Sequence, residues 1–128
     1  MKTGGCLCGG VRYETTGPLR DITMCHCRMC RTQTGLYYAA TESALDDFAL
    51  TSDKTLTWYT SSEWAKRGFC STCGTALFWK ADEHDRISIL VGSFDDDPGL
   101  VVGKQIFTRY KGAFYELISD IPTLEEGR

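Results

Sequence analysis

Cys6-Leu7-Cys8-Gly9-Gly10-Val11-Arg12-Tyr13-Glu14-Thr15 is the stretch on which the fold turns. Its second half is of strand length and rich in β-branched and aromatic side chains. Its first half carries two thiols at i and i+2, which an extended backbone points to one side. Two glycines then release the chain into a turn. Two thiolates make half of a closed tetrahedral zinc site. The other half stands far along the chain at Cys70-Ser71-Thr72-Cys73-Gly74. There an i, i+3 pair spans a tight turn, and the trailing glycine permits the left-handed backbone that aims N–H groups at sulfur. Joining the halves cross-links the N-terminal region to the middle of the chain.

Outward from these two motifs the pattern reads mostly as strands, at 11–15, 22–25, 36–41, 55–60, 75–79, 87–94 and 105–110. Turn signals separate them at 17–18, 52–53, 82–85, 95–99 and 111–112. Helix is expected in two short places: a turn after Cys27 that runs through Arg31 and Gln33 to a stop at Gly35, and a turn over 43–47. The tail at 118–128 is polar, carries Pro122, and is expected to be peripheral or to fray. The fold class is therefore all-β with very little helix. A chain of 128 residues fits one domain, 1–128, without repeats or a linker. Thirteen glycines and many short segments suggest a loop-rich fold that gains from metal.

Seven cysteines cannot all pair as disulfides, but they divide into four and three. The N-terminus lacks the apolar core of a secretory signal, and no apolar run is long enough to cross a bilayer. A cytoplasmic location is the expectation, and there clustered thiols bind metal or do chemistry. The remaining three lie in Cys25-His26-Cys27-Arg28-Met29-Cys30. Local geometry brings all three to one ion, and the fourth ligand is not evident. His26 is a candidate, but in an extended C-H-C its ring points away from the face that holds Cys25 and Cys27, which suits it better to proton donation or support. An open fourth position separates catalytic from structural zinc. Water or a substrate thiol would fill it, and zinc holds a thiol as thiolate, the nucleophile that adds to an aldehyde. The bland alternative is a second stabilising knuckle completed by another ligand. His84, in the acidic turn at 82–85, reads as a solvated surface residue.

Net charge is −3 with a pI near 5.3, which argues against general nucleic-acid binding. Arg28 and Arg31 flank the three-cysteine group, and Lys66-Arg67 precede the knuckle. An arginine fork suits a carboxylate on the thiol substrate.

These motifs resemble the family of glutathione-dependent formaldehyde-activating enzymes, which includes centromere protein V. The resemblance rests on Gly4 to Tyr13, on Cys25 to Arg31 with Gly35, and on Arg67-Gly68-Phe69-Cys70-Ser71-Thr72-Cys73-Gly74-Thr75. A softer match is Gln105-Ile106-Phe107 leading to Phe114-Tyr115-Glu116 and Asp120-Ile121-Pro122. It implies a β-tent fold of several coiled antiparallel sheets around a four-cysteine zinc site. It implies that Cys6, Cys8, Cys70 and Cys73 bind structural zinc and that Cys25, Cys27 and Cys30 bind a second, catalytic-type zinc. The implied activity is that of a carbon–sulfur lyase: a thiol such as glutathione adds to formaldehyde or another small aldehyde, or the adduct is cleaved. His26 and water are candidate proton donors. The expected partners are these small molecules, without nucleic acid or membrane, and homodimer formation is left open. The alternative is a non-catalytic module in which both zincs are structural and a protein or small ligand docks.

Overall fold

The structure is a computed structural model that describes residues 1–127. Arg128, the end of the expected tail, lies outside the described residues. Among the described residues ten strands run in chain order: β1 Lys2–Gly5, β2 Val11–Thr15, β3 Ile22–Cys25, β4 Tyr38–Ala44, β5 Phe48–Asp53, β6 Leu56–Thr60, β7 Ala65–Cys70, β8 Ala76–Ala81, β9 Arg86–Leu90 and β10 Val102–Ile106. Among the described residues there is one α-helix, α1 Arg28–Thr34. Its start is Cys27, still extended, and its end is Gly35 in the left-handed region at φ 96°. The glycine stop expected from the sequence is the stop observed.

The strands form two sheets, β1-β2-β5 and β10-β3-β4-β9-β8-β7-β6. Every pairing between these strands is antiparallel except β10 on β3. The mostly-β, antiparallel architecture expected from the sequence is the one observed, with this single parallel pair added to it. The long connection between β3 and β10 allows the parallel approach that a hairpin forbids.

Strand alternation gives the large sheet two working faces. One packs against the small sheet. Val11 and Tyr13 from β2 meet Phe78, Ile87, Ile89 and Phe94 in this core. The Tyr13 ring stands edge-on to Phe78 and Phe94, at centroid distances of 5.5 and 5.6 Å. Its hydroxyl bonds Ser93 Oγ at 2.7 Å, so the phenol is buried without an orphaned oxygen. Fully burying side chains of this size contributes about 1.5–3 kcal/mol each. β1 crosses so close above Tyr13 that a Cβ at Gly4 would lie 2.4 Å from its hydroxyl. Outside this core, Arg12 forms an ion pair with Asp95 and ties β2 to the 95–99 turn.

The other face of the large sheet is laid out in cross-strand rows. Ile106, Cys25 and Tyr38 form one row; Lys104, Thr23, Ala40 and Leu90 form the next. Arg67, Trp79 and Ser88 continue the face on β7, β8 and β9. This face floors a cleft of about 490 Å³.

Three differences from the sequence reading bear on that arrangement. The helical turn expected over 43–47 is confined to Leu45–Asp47, because Ser43 and Ala44 still belong to β4, where the Ser43 hydroxyl bonds Thr15 Oγ1 at 2.9 Å. β1, β5 and β7 were not anticipated. The tail does not fray at 122–126: Gln105 and Phe107 donate to the Pro122 and Glu126 carbonyls at 2.9 and 2.8 Å, and Leu124 donates to Gln105 O at 2.8 Å. These bonds cover the outer edge of β10.

Candidate metal centres

The first centre forms where two strand ends meet. The chain leaves β1 through Cys6 and Cys8, turns at Gly9 (φ 83°) and enters β2. β7 ends in Cys70, and a turn through Cys73 and Gly74 (φ 79°) leads into β8. The four sulfurs lie within 4.8 Å of one another. Cys8 Sγ is 3.6 Å from both Cys6 Sγ and Cys70 Sγ. That is far beyond a disulfide bond of about 2.05 Å. It is close to the edge of about 3.8 Å that a tetrahedron with about 2.3 Å zinc–sulfur bonds requires. Backbone N–H groups of Val11, Thr72 and Cys73 point at sulfur at 3.2–3.4 Å. The Thr55 and Thr75 hydroxyls approach Cys70 and Cys73, each at 3.1 Å. The Thr55 hydroxyl is the largest influence that lowers Cys70, and the Thr75 hydroxyl leads those that hold Cys73 down to about 5. This donor set fits a soft divalent ion.

The second centre sits at the junction of β3 and α1. Cys25 ends the strand, Cys27 caps the helix, and Cys30 lies in the first helical turn. Helical spacing folds Cys30 back toward Cys27, and its N–H donates to Cys27 Sγ at 3.4 Å. The three sulfurs lie within 4.8 Å of one another, and among the described residues no further His, Cys, Asp or Glu joins them. Their crowding divides the protons. Hydrogen bonding from Cys25 and then Cys30 drives Cys27 down to about 2. Cys25 is pushed up, first by its bond to Cys27. For Cys30 the lowering effect of Cys25 is outweighed by Cys27 and by burial, which leaves it near 11. One anionic sulfur held by two S–H donors is a cluster that a cation can strip of its protons.

Arg67 completes this centre from across the sheet. It is buried, its Nη2 donates to Cys30 Sγ at 3.4 Å, and its Nη1 donates to Gln33 Oε1 at 2.9 Å. The sequence places Arg67 beside the knuckle cysteines. Strand parity separates them: three positions apart on β7, Cys70 and Arg67 face opposite sides of the sheet. The Arg67 guanidinium lies 5.2 Å from the Tyr38 ring centroid. Tyr38 is itself buried, and among the described residues neither its hydroxyl nor Arg67 Nε has a hydrogen-bond partner. Burial pushes the Tyr38 phenol up, so it stays protonated. No local motif marks Tyr38. Its only signal is the register that sets it opposite Cys25.

His26 is only 1% exposed and does not line the cleft. Its Nδ1 bonds the Tyr115 hydroxyl at 2.7 Å, and its backbone N–H bonds Ile106 O at 3.0 Å. Burial, and then the Lys111 charge, hold the imidazole below its ordinary value. The ring thus stands on the side of the strand away from the sulfurs, where it anchors the C-x-C segment to the tail. Arg28 is exposed and lines a neighbouring hollow of about 450 Å³ with Gln33 and Tyr59. Arg31 is half-buried, lines neither space, and places its charge near Tyr115. Among the described residues the cations on the cleft itself are Arg20, Arg67 and Lys104. His84 is exposed, as its acidic turn suggests.

The family model described as glutathione-dependent formaldehyde-activating enzyme matches residues 1–110. An uncharacterized lyase of Schizosaccharomyces pombe is 29% identical over 76 residues, 59% of this chain and 55% of that protein. The chain thus spans about half the length of this curated relative. A crystal structure of a Rhodobacter sphaeroides protein is similar with a TM-score of 0.63 at 27% identity, covering 78% of this chain and 97% of the other. No helix among the described residues is long and apolar enough to cross a membrane.

Proposed function

The chain belongs to the glutathione-dependent formaldehyde-activating enzyme family, and from that membership we propose that it is a carbon–sulfur lyase-type enzyme that joins a thiol to a small aldehyde such as formaldehyde, or cleaves the adduct. The observation that carries this reading is a three-sulfur group that, among the described residues, has no fourth protein ligand and opens on a cleft that also presents a phenol without a partner among them.

In this reading Cys6, Cys8, Cys70 and Cys73 hold a structural zinc, and their closed set of four leaves no room for chemistry. Cys25, Cys27 and Cys30 hold the second zinc. Bound there, such an ion would supply the chemistry of keeping a thiol in its thiolate form at neutral pH. Arg67 balances the negative charge gathered at the sulfurs. Tyr38 faces the same space and serves as the proton donor. As the guest sulfur's lone pair forms the C–S bond, the carbonyl π pair moves to oxygen, and the phenol proton follows it to give the hydroxyl. The thiol proton leaves to solvent, and water restores the phenol. Cleavage runs the same steps backwards. His26 and Tyr115 hold the C-x-C backbone in place during the reaction.

The test is to follow exchange between thiol, formaldehyde and adduct by NMR with the zinc-loaded protein, using glutathione and less polar thiols. Exchange faster than the uncatalysed rate, lost in Cys30→Ala, is the expected result. Uncatalysed rates with every thiol would overturn the reading.

A further inference from the structure

The cleft carries more information than the reaction class. β10 contains a bulge: Val102 pairs with Ile22, but Lys104, not Gly103, pairs with Thr23. Had the first register continued, Lys104 would stand opposite Met24 on the far face of the sheet. The extra residue instead places Lys104 and Ile106 on the cleft side, beside Thr23 and Cys25. Gln105 then points the other way, where its side chain bonds the Ile118 backbone at 3.0 and 3.2 Å. Lys104 is one row from Cys25. Two residues along a strand and one strand across is a backbone separation of about 8 Å, so its ammonium serves a group a few bonds from a sulfur bound at the trio.

The three cations on the cleft differ in what they already hold. Arg67 is engaged with Cys30 and Gln33. Arg20 is paired with Glu42, whose carboxylate Arg86 shares. The Lys104 ammonium has no hydrogen-bond or ion-pair partner among the described residues. Among the described residues no Asp or Glu lines the cleft. Its walls are aromatic, with Trp64 standing edge-on to Trp79 at 5.5 Å and left 56% exposed at the mouth. Inside, the buried Tyr38 hydroxyl and Arg67 Nε stand unpartnered and need an acceptor. Glutathione brings an ammonium, two carboxylates and two amides. Its ammonium meets three cations here and, among the described residues, no carboxylate to pair with.

On the reading that the cysteine trio takes a thiol, we propose that the cleft selects a thiol bearing one carboxylate and an apolar, aromatic body, with no ammonium, and that Lys104 is the residue that holds the carboxylate. Trp64 and Trp79 cover the body of such a molecule, and the sulfur reaches the trio.

Calorimetric titration of the zinc-loaded protein with 3-phenyl-2-sulfanylpropanoate, 3-phenylpropanoate and glutathione tests this, with cobalt-substituted protein reporting thiol at the trio by its absorption spectrum. The phenyl thiol acid is expected to bind at least about tenfold more tightly than glutathione. Lys104→Gln is expected to weaken both phenyl acids about tenfold, and Lys104→Arg to restore most of that loss. Glutathione binding as tightly as the phenyl thiol acid, or phenyl acids indifferent to Lys104→Gln, overturns the proposal. The two readings fail separately. A cobalt spectrum that moves with thiols while affinity ignores Lys104 sinks this proposal alone. A spectrum silent to every thiol, with 3-phenylpropanoate still held through Lys104, sinks the thiol chemistry and leaves an anion-binding cleft.

Discussion

Arg67→Met separates the two centres most sharply. Arg67 is 6% exposed as a residue, and its guanidinium donates to Cys30 Sγ at 3.4 Å and packs over Tyr38. Methionine retains much of the side-chain bulk and removes the charge. A hydrogen bond to a charged partner contributes about 1.5–3 kcal/mol. Metal affinity at Cys25, Cys27 and Cys30 should therefore fall about ten- to hundredfold. The bare Coulomb energy at this separation, about 5 kcal/mol at an effective dielectric near 20, is an upper bound, since the open cleft lets water take over part of the role. The four-cysteine centre contacts the opposite face of β7 and should keep its affinity. Competition against a chromophoric chelator resolves the two releases. The wild type should surrender both ions at higher chelator than the variant does for its weaker one, and Arg67→Lys should recover part of the loss. Equal weakening of both ions, or no weakening at the trio, would refute the reasoning.

Other substitutions probe the remaining assignments. Tyr38→Phe deletes a buried hydroxyl that has no partner; stability should hold or rise by about 1 kcal/mol, while turnover falls about a hundredfold, and a variant with unchanged turnover rules Tyr38 out as the proton donor. Cys73→Ala should cost about 3 kcal/mol or more of unfolding free energy by opening the structural site, whereas Cys30→Ala should melt near the wild type and lose one ion; identical unfolding of the two would mean that the division of roles is wrong. Gly74→Ala meets no atom within 4 Å, so its cost is that of a left-handed backbone at φ 79°, about 1–2 kcal/mol in urea denaturation; an unmoved midpoint would count against the knuckle geometry. Asp95 is held from 3.8 down to about 2, first by its bond from Arg12. A depressed carboxyl contributes stability above its unfolded value and loses it as pH falls through the folded one. The melting-temperature gap between wild type and Asp95→Asn should therefore hold from neutrality to about pH 4 and close toward pH 2, and a pH-independent gap would dismiss the pairing as its cause.

The strands that carry their own apolar pattern were legible: 11–15 and 22–25 coincide with β2 and β3. β1 and β7 were not, because Lys2-Thr3-Gly4-Gly5 and Ala65-Lys66-Arg67-Gly68 hold glycines and charges of low strand propensity. They are strands because β2 in one case, and β6 and β8 in the other, supply their hydrogen bonds. β5 is exposed along most of its length, and its end, Ser52-Asp53, carries turn-forming residues.

Cysteine spacing is a local quantity, so the partition into four and three, the all-β class and the helix stop at Gly35 could be read from the chain alone. A thiol pair at i, i+2 or i, i+3 needs only one turn of backbone to face one ion, so nothing distant is required to recognise it. Which side chains meet the trio is a property of the folded arrangement. Tyr38, Arg67 and Lys104 come from three strands, and they reach one cleft through register, strand parity and the single extra residue in β10. A one-residue slip in any of those strands would send its side chain to the other face of the sheet, and that choice depends on how neighbouring strands pair.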